Sequence, residues 1–396
     1  MQHHIEFVED ESQLESDEDI SSLGAGIFNT AVLSGNDWTA ETIITQINKG
    51  NIQLNPKFQR RDAWDKERKS KFIESLILGL PVPQVVLAES RDRRGAYIVL
   101  DGKQRLLSIR QFAASDSDPV YEQLRLTNLE IRSDLKGYDL DALRNDADRF
   151  DDLAAFENQP IRTVVIKNWP SENFLYHIFL RLNTGSVPLS PQELRQALHP
   201  GLFVSFLDER SSSSPALREI LKISKPDFRM RDAELLLRFI AFSNFYLNYS
   251  GSLKDFLDDT CLKLNSHWSS MERTVVEQAD SLEKAHCTVK SIFGENSYRK
   301  WSVMGYESRF NRSVFDVMTL SMSNENVRNA IVGKERLVED AFIELCATDI
   351  SFRSSLETTT KTLAATHKRI STWFSKMSEL LGIDLPTFDL LNDRIV

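Results

Sequence analysis

Cysteine is scarce. Cys261, Cys287 and Cys346 are the only three in 396 residues, and no two stand as C-x-x-C. This excludes a disulfide framework and a thiolate zinc site, and reads as three reduced core residues. No apolar run approaches the roughly 18 residues of a membrane span, and the N-terminus has neither the basic nor the apolar region of a signal peptide. The expectation is a soluble, cytoplasmic protein without a membrane partner. Lysine and arginine are absent from residues 1–48, which carry ten carboxylates. The net charge of −10 therefore sits in that stretch, and the rest of the chain balances. Residues 1–37 are expected to form an acidic, poorly ordered arm: a solvated tail on the plain reading, a competitor of nucleic acid for a basic groove on the sharper one.

What is present begins with an apolar run, Ala96-Tyr97-Ile98-Val99-Leu100, that ends on Asp101-Gly102 and passes into the amphipathic segment 106–112. This reads as strand, tight turn, helix. Such a turn leaves the first helical N–H groups without partners at the positive end of the helix dipole, a place that suits a phosphate. Lys103 and Arg105 add cations. Asp101 would be repelled by phosphates unless it binds a divalent cation or orients a water, which points to nucleotide chemistry. The alternative is structural: Asp101 caps the helix and Gly102 supplies the turn.

Around this centre the spacing predicts a helix at 38–47 and a short strand at 52–56. A further helix, closed by Gly79 and Pro81, places Phe72, Ile73, Leu76, Ile77 and Leu80 on one face. Strands at 84–89 and 96–100 form a hairpin with a basic tip at Arg91, Arg93 and Arg94. Residues 115–160 are Asp-rich loops with short helices, followed by a strand at 161–167. A helix capped by Ser171 ends at Asn183-Thr184-Gly185, and Ser190-Pro191-Gln192-Glu193 is a capping box that opens the next. From the serine tract at 211–214 onward only helices are expected. The fold class is α+β, with an arm at 1–37, a mixed domain at 38–210 and a helical domain at 215–396.

Four motifs stand in order: Asn55-Pro56-x-Phe58-Gln59-Arg60 before Trp64; Asp101-Gly102-Lys103-Gln104-Arg105; Arg181-Leu182-Asn183-Thr184-Gly185; and Leu189-Ser190-x-x-Glu193-x-Arg195-x-Ala197. Together they resemble the N-terminal domain of GmrSD-type type IV restriction systems over roughly 38–197. A fainter likeness extends through Glu234-x-x-x-Arg238 to Phe310-Asn311-Arg312-x-x-Phe315-Asp316. The family's second motif is usually Asp-Gly-Gln-Gln-Arg, so this chain departs from it at Lys103.

The resemblance implies a ParB/sulfiredoxin-like fold that binds and hydrolyses a nucleoside triphosphate with Mg²⁺, coupled to DNA restriction and antiphage defence. Asp101, Gln104 and Arg105 would be catalytic, with Asp101 on the metal. Gln59, Arg60, Gly102, Lys103, Asn183 and Gly185 would bind the nucleotide. Each has a plainer role open to it: Asn183-Thr184-Gly185 as a helix stop, Arg60 and Arg61 as surface charges, Glu193 as a cap.

The HNH-like nuclease domain of many relatives is not found in the sequence, so a separate nuclease or effector protein is the expected partner alongside DNA. A homo-oligomer is also allowed. In the second half Arg299, Lys300, Trp301, Arg309 and Arg312 are candidates for a nucleic-acid surface, against the alternative of aromatics in a helix interface with arginines at its rim. Pro215 to the end holds 24 basic and 25 acidic residues, so this half is not an electrostatic DNA binder as a whole. Two other functions remain open, a non-catalytic ParB-like adaptor and a stand-alone metal-dependent nuclease. A sulfiredoxin-type reductase is disfavoured because residues 101–105 contain no cysteine.

Overall fold

The computed structural model describes residues 31–52, 54, 61–182, 190–357 and 360–396. Apart from Phe228–Met230, which are grouped with the first unit, the chain divides between Leu198 and His199 into two compact units. The first contains β1 (Val32–Thr39), α1 (Ala40–Asn48), α2 (Lys66–Ile77), β2 (Val85–Glu89), β3 (Tyr97–Asp101), α3 (Lys103–Phe112), α4 (Leu140–Asn145), α5 (Phe150–Asn158), β4 (Pro160–Lys167), α6 (Glu172–Leu182) and α7 (Pro191–Leu198).

Its sheet has the order β1-β4-β2-β3; β4 runs parallel to β2, and the other neighbours are antiparallel. Side chains of a strand alternate between faces, and the two faces of this sheet feed separate cores. Val85, Leu87, Val99 and Val165 join the helices α1 to α5, whereas Val86, Ala88, Leu100 and Ile166 meet Phe174, Leu175 and Phe179 of α6 and Leu194 of α7. Burial on both faces explains why β2 reads as an uninterrupted apolar run.

Two expectations change here. Residues 32–37, assigned to the disordered arm, form most of β1, whose eight residues pair in register with β4. The strand expected at 52–56 is reduced, among the described residues, to a bridge from Ile52 to Tyr97. The Asp-rich stretch is ordered by its own carboxylates: Asp139 caps α4, and Asp134 and Asp152 clasp Arg132. Glu74 of α2 accepts the backbone N–H groups of Ile131 and Arg132, at 2.9 and 2.6 Å.

The second unit is built from α8 (Leu202–Ser213), α9 (Pro215–Leu221), α10 (Arg231–Phe245), α11 (Leu253–Ser266), α12 (Trp268–Phe293), α13 (Arg312–Ser323), α14 (Glu325–Ile331), α15 (Glu335–Thr348), α16 (Ile350–Glu357) and α17 (Leu363–Leu381). Two-residue strands add small hairpins, β5 (Trp301–Ser302) with β6 (Gly305–Tyr306) and β7 (Leu390–Leu391) with β8 (Arg394–Ile395). The serine tract is no linker. Ser212 and Ser213 bond back to the Glu209 carbonyl inside α8, and the Ser214 hydroxyl caps α9 through the Leu217 N–H.

At the centre of this unit α10 and α13 exchange charges at matched spacing. Arg238 grips Asp316 through Nε and Nη2, and Arg312 grips Glu234 in the same forked manner. Arg369 of α17 stands 3.7 Å from Asp316. Among the described residues no helix is long and apolar enough to cross a membrane.

Candidate nucleotide site

The turn between β3 and α3 is shaped by a defect in the sheet. Asp101 lies opposite Val86 and Val99 opposite Leu87, so Leu100 is an extra residue on β3. Such a bulge re-aims the side chains beside it, here at the strand's last residue. Gly102 follows at φ 94°, where a Cβ would stand 3.0 Å from Val85 Cγ2 and 3.2 Å from Arg105 Nη2. Only glycine suits both the left-handed backbone and the close approach. Having no side chain, it offers the first turn of α3 no side-chain cap.

Arg105 is buried. Its Nη2 donates to Asp101 Oδ2 at 2.8 Å and to the Gln84 carbonyl at 3.0 Å, fixing the carboxylate against the sheet edge. Asp101 itself is partly open to solvent, its side chain 22% exposed. Its other oxygen has no hydrogen bond among the described residues. Two buried polar atoms, Gln104 Oε1 and Arg105 Nε, likewise have no hydrogen-bond partner among the described residues.

Lys103 reaches Glu193 Oε1 at 2.7 Å, so its charge is balanced within the unit. Glu193 also closes the expected capping box: its Oε2 accepts the Ser190 N–H at 2.8 Å, and its own N–H donates to Ser190 Oγ at 3.1 Å. One carboxylate thus links the starts of α3 and α7.

Unsatisfied buried polar atoms are costly, about 1–3 kcal/mol each. The Arg105 Nε–H, a donor beside the N-terminus of α3, fits an anionic group at this turn, whereas Gln104 Oε1, an acceptor, fits a donor such as a water. Asp101 adds one carboxylate oxygen for a hard divalent cation, the kind of ion that binds through one or two carboxylates plus phosphate oxygens.

Gln59, Arg60, Asn183 and Gly185 lie outside the described residues. Arg61, considered a surface charge, is buried instead. The second-half candidates do not converge. Lys300 is buried between Glu307 and Glu357, at 2.7 and 2.8 Å, and Arg312 is buried against Glu234. Trp301 packs edge-on against Tyr306, Arg299 is half-buried, and only Arg309 is exposed. The signal overlooked was pairing at a distance: Glu234-x-x-x-Arg238 mirrors Arg312-x-x-x-Asp316, as two packed helices with complementary charges must. The basic face of α2 is likewise paired, Lys66 with Glu122, Lys69 with Asp62 and Lys71 with Glu130.

Comparison with known proteins agrees with the order of the motifs. The family described as the GmrSD restriction endonuclease, N-terminal domain, matches residues 41–200, a range that contains α2 through α7 and all of α1 but its first residue. Neither the curated proteins nor the solved structures gave a match. Residues 41–200 are therefore similar to the N-terminal domain of GmrSD-type restriction endonucleases.

Proposed function

We propose that the protein is a nucleotide-binding, NTP-hydrolysing sensor or regulatory subunit of a DNA restriction or antiphage system, with a ParB/sulfiredoxin-like first domain and a separate nuclease that cuts. The observation that carries this reading is the Asp101–Arg105 pair placed by the bulge and Gly102 at the uncapped start of α3. Phosphate oxygens would accept from the backbone N–H groups of Gln104 and Arg105 in the first turn of α3. Arg105 acts through Asp101, as a positioning residue that holds the carboxylate in one rotamer. The Oε1 of Gln104 can accept a hydrogen bond from a water and so orient it, the role glutamine takes in other nucleotide hydrolases. Mg²⁺, when bound at Asp101, would neutralise phosphate charge.

A second reading is favoured by one specific feature. Lys103 and Arg105 are both matched by carboxylates, which leaves the site less positive than the sequence suggests and suits an adaptor that binds nucleotide without turnover.

A panel of nucleoside triphosphates, each with and without Mg²⁺ and DNA and scored for both binding and phosphate release, separates the two. Asp101→Ala should lower hydrolysis by about 100-fold or more while the protein stays folded. Undiminished release by a folded Asp101→Ala protein refutes the assignment. Arg105→Ala should reduce turnover, and Arg105→Lys should restore part of it.

A further inference from the structure

The β2–β3 hairpin has two ends, and Asp101 occupies one of them. At the other, residues 90–96, the cations lack the partners found elsewhere in the sheet unit, where Lys66, Lys71, Lys103, Arg110 and Arg132 all face carboxylates. Arg91, Arg94 and Lys167 have no carboxylate partner among the described residues, and they border an open cleft of about 540 Å³.

Arg91 is held in place. Its guanidinium carbon lies 3.9 Å from the centroid of the Trp169 ring, and its Nη2 donates to the Trp169 carbonyl at 2.7 Å. The buried Trp169 is anchored in turn by its ring N–H, which donates to the Glu89 carbonyl at 2.7 Å. Glu89, the carboxylate bordering the cleft, is engaged by the Gly95 N–H at 3.1 Å. Asp92 at the tip opposes the cations only in part.

We propose that this cleft grips the phosphodiester backbone of double-stranded DNA, as a second anion site about 13 Å along β3 from Asp101; it rests on the reading that the domain serves a DNA-restriction system. A planar guanidinium fixed by stacking keeps its outer N–H edge for phosphate oxygens, and two further cations around an open cleft match neighbouring phosphates. Residues 91–95 are Arg-Asp-Arg-Arg-Gly, with no apolar side chain to enter a lipid surface.

The test is fluorescence anisotropy of the full chain with a labelled duplex of about 20 bp from 50 to 200 mM salt. Each phosphate contact steepens the log–log salt slope by about 0.9. The triple variant Arg91→Ala, Arg94→Ala, Lys167→Ala should flatten that slope by about 2.7 and weaken binding at 50 mM salt at least tenfold. A control of equal charge change, Lys136→Ala, Lys225→Ala, Lys284→Ala, should leave the slope within about 0.5 of the parent. An unchanged slope in the first variant, an equal change in the control, or binding by the parent to anionic phosphatidylserine vesicles alone overturns the proposal. Hydrolysis is read separately. A chain that releases no phosphate yet loses DNA through the triple variant keeps this site and loses the enzymatic reading.

Discussion

Asp316 is the most consequential charge in the helical unit, and replacing it by asparagine should be costly. Its side chain is fully buried, forked by Arg238 and approached by Arg369, whose side chains are 4% and 2% exposed. Burial disfavours the charge on both arginines, and the Asp316 carboxylate opposes that on each; the net direction is upward for Arg238 and downward for Arg369. Two unit charges about 3 Å apart interact by about 5 kcal/mol at an effective dielectric constant of 20, and removing one member of a buried pair costs about 3–5 kcal/mol. Asp316→Asn keeps the shape and leaves two guanidinium groups beside a neutral amide. At about 2–4 °C per kcal/mol for a unit of this size, the melting temperature should fall by roughly 6–20 °C. Urea unfolding followed by circular dichroism supplies the free energy. In an Arg238→Met, Arg369→Met background the same substitution should cost less than about 1 kcal/mol, because the uncompensated cations are gone. An equal cost in both backgrounds would show that Asp316 acts through packing alone and refute the electrostatic account.

Gly102→Ala should destabilise the first unit by about 1–2 kcal/mol through its left-handed backbone and weaken nucleotide binding, as isothermal calorimetry would show. Ser190→Ala removes a cap worth about 1 kcal/mol, and because Glu193 also holds Lys103, amide exchange should quicken at the first turn of α3 as well as α7. Burial holds the His286 imidazole below its ordinary range despite Glu219. Its stabilising contribution is therefore complete above the unfolded value near 6.5 and declines as pH falls through that value toward the folded one. Melting curves of wild type and His286→Gln between pH 8 and 5 should converge on the acid side; parallel curves would remove the histidine from the pH response.

The β3–turn–α3 unit was legible because an apolar run broken by Asp-Gly has few other readings, and the capping box at Ser190 because its four residues act locally. Strand β1 was hidden: Ser34-Gly35-Asn36-Asp37 looks like a loop, and it is a strand because β4 supplies backbone partners while most of its side chains face water. The bulge at Leu100 has no compositional mark, since any residue can be the extra one. Burial was the systematic blind spot. Arg61, Lys300 and Arg312 carry charges that a linear reading sends to the surface, yet partners remote in sequence draw Lys300 and Arg312 inside.

The sheet order has a consequence for synthesis. Because β4 lies between β1 and β2, the two earlier segments have no common neighbour until residues 160–167 leave the ribosome. The hairpin bearing Asp101 can zip up early, being contiguous, whereas its seat waits for a strand made some sixty residues later. A nascent chain halted before that strand would display the turn without its platform, vulnerable to proteases and to stray β-pairing along the exposed margin of β2.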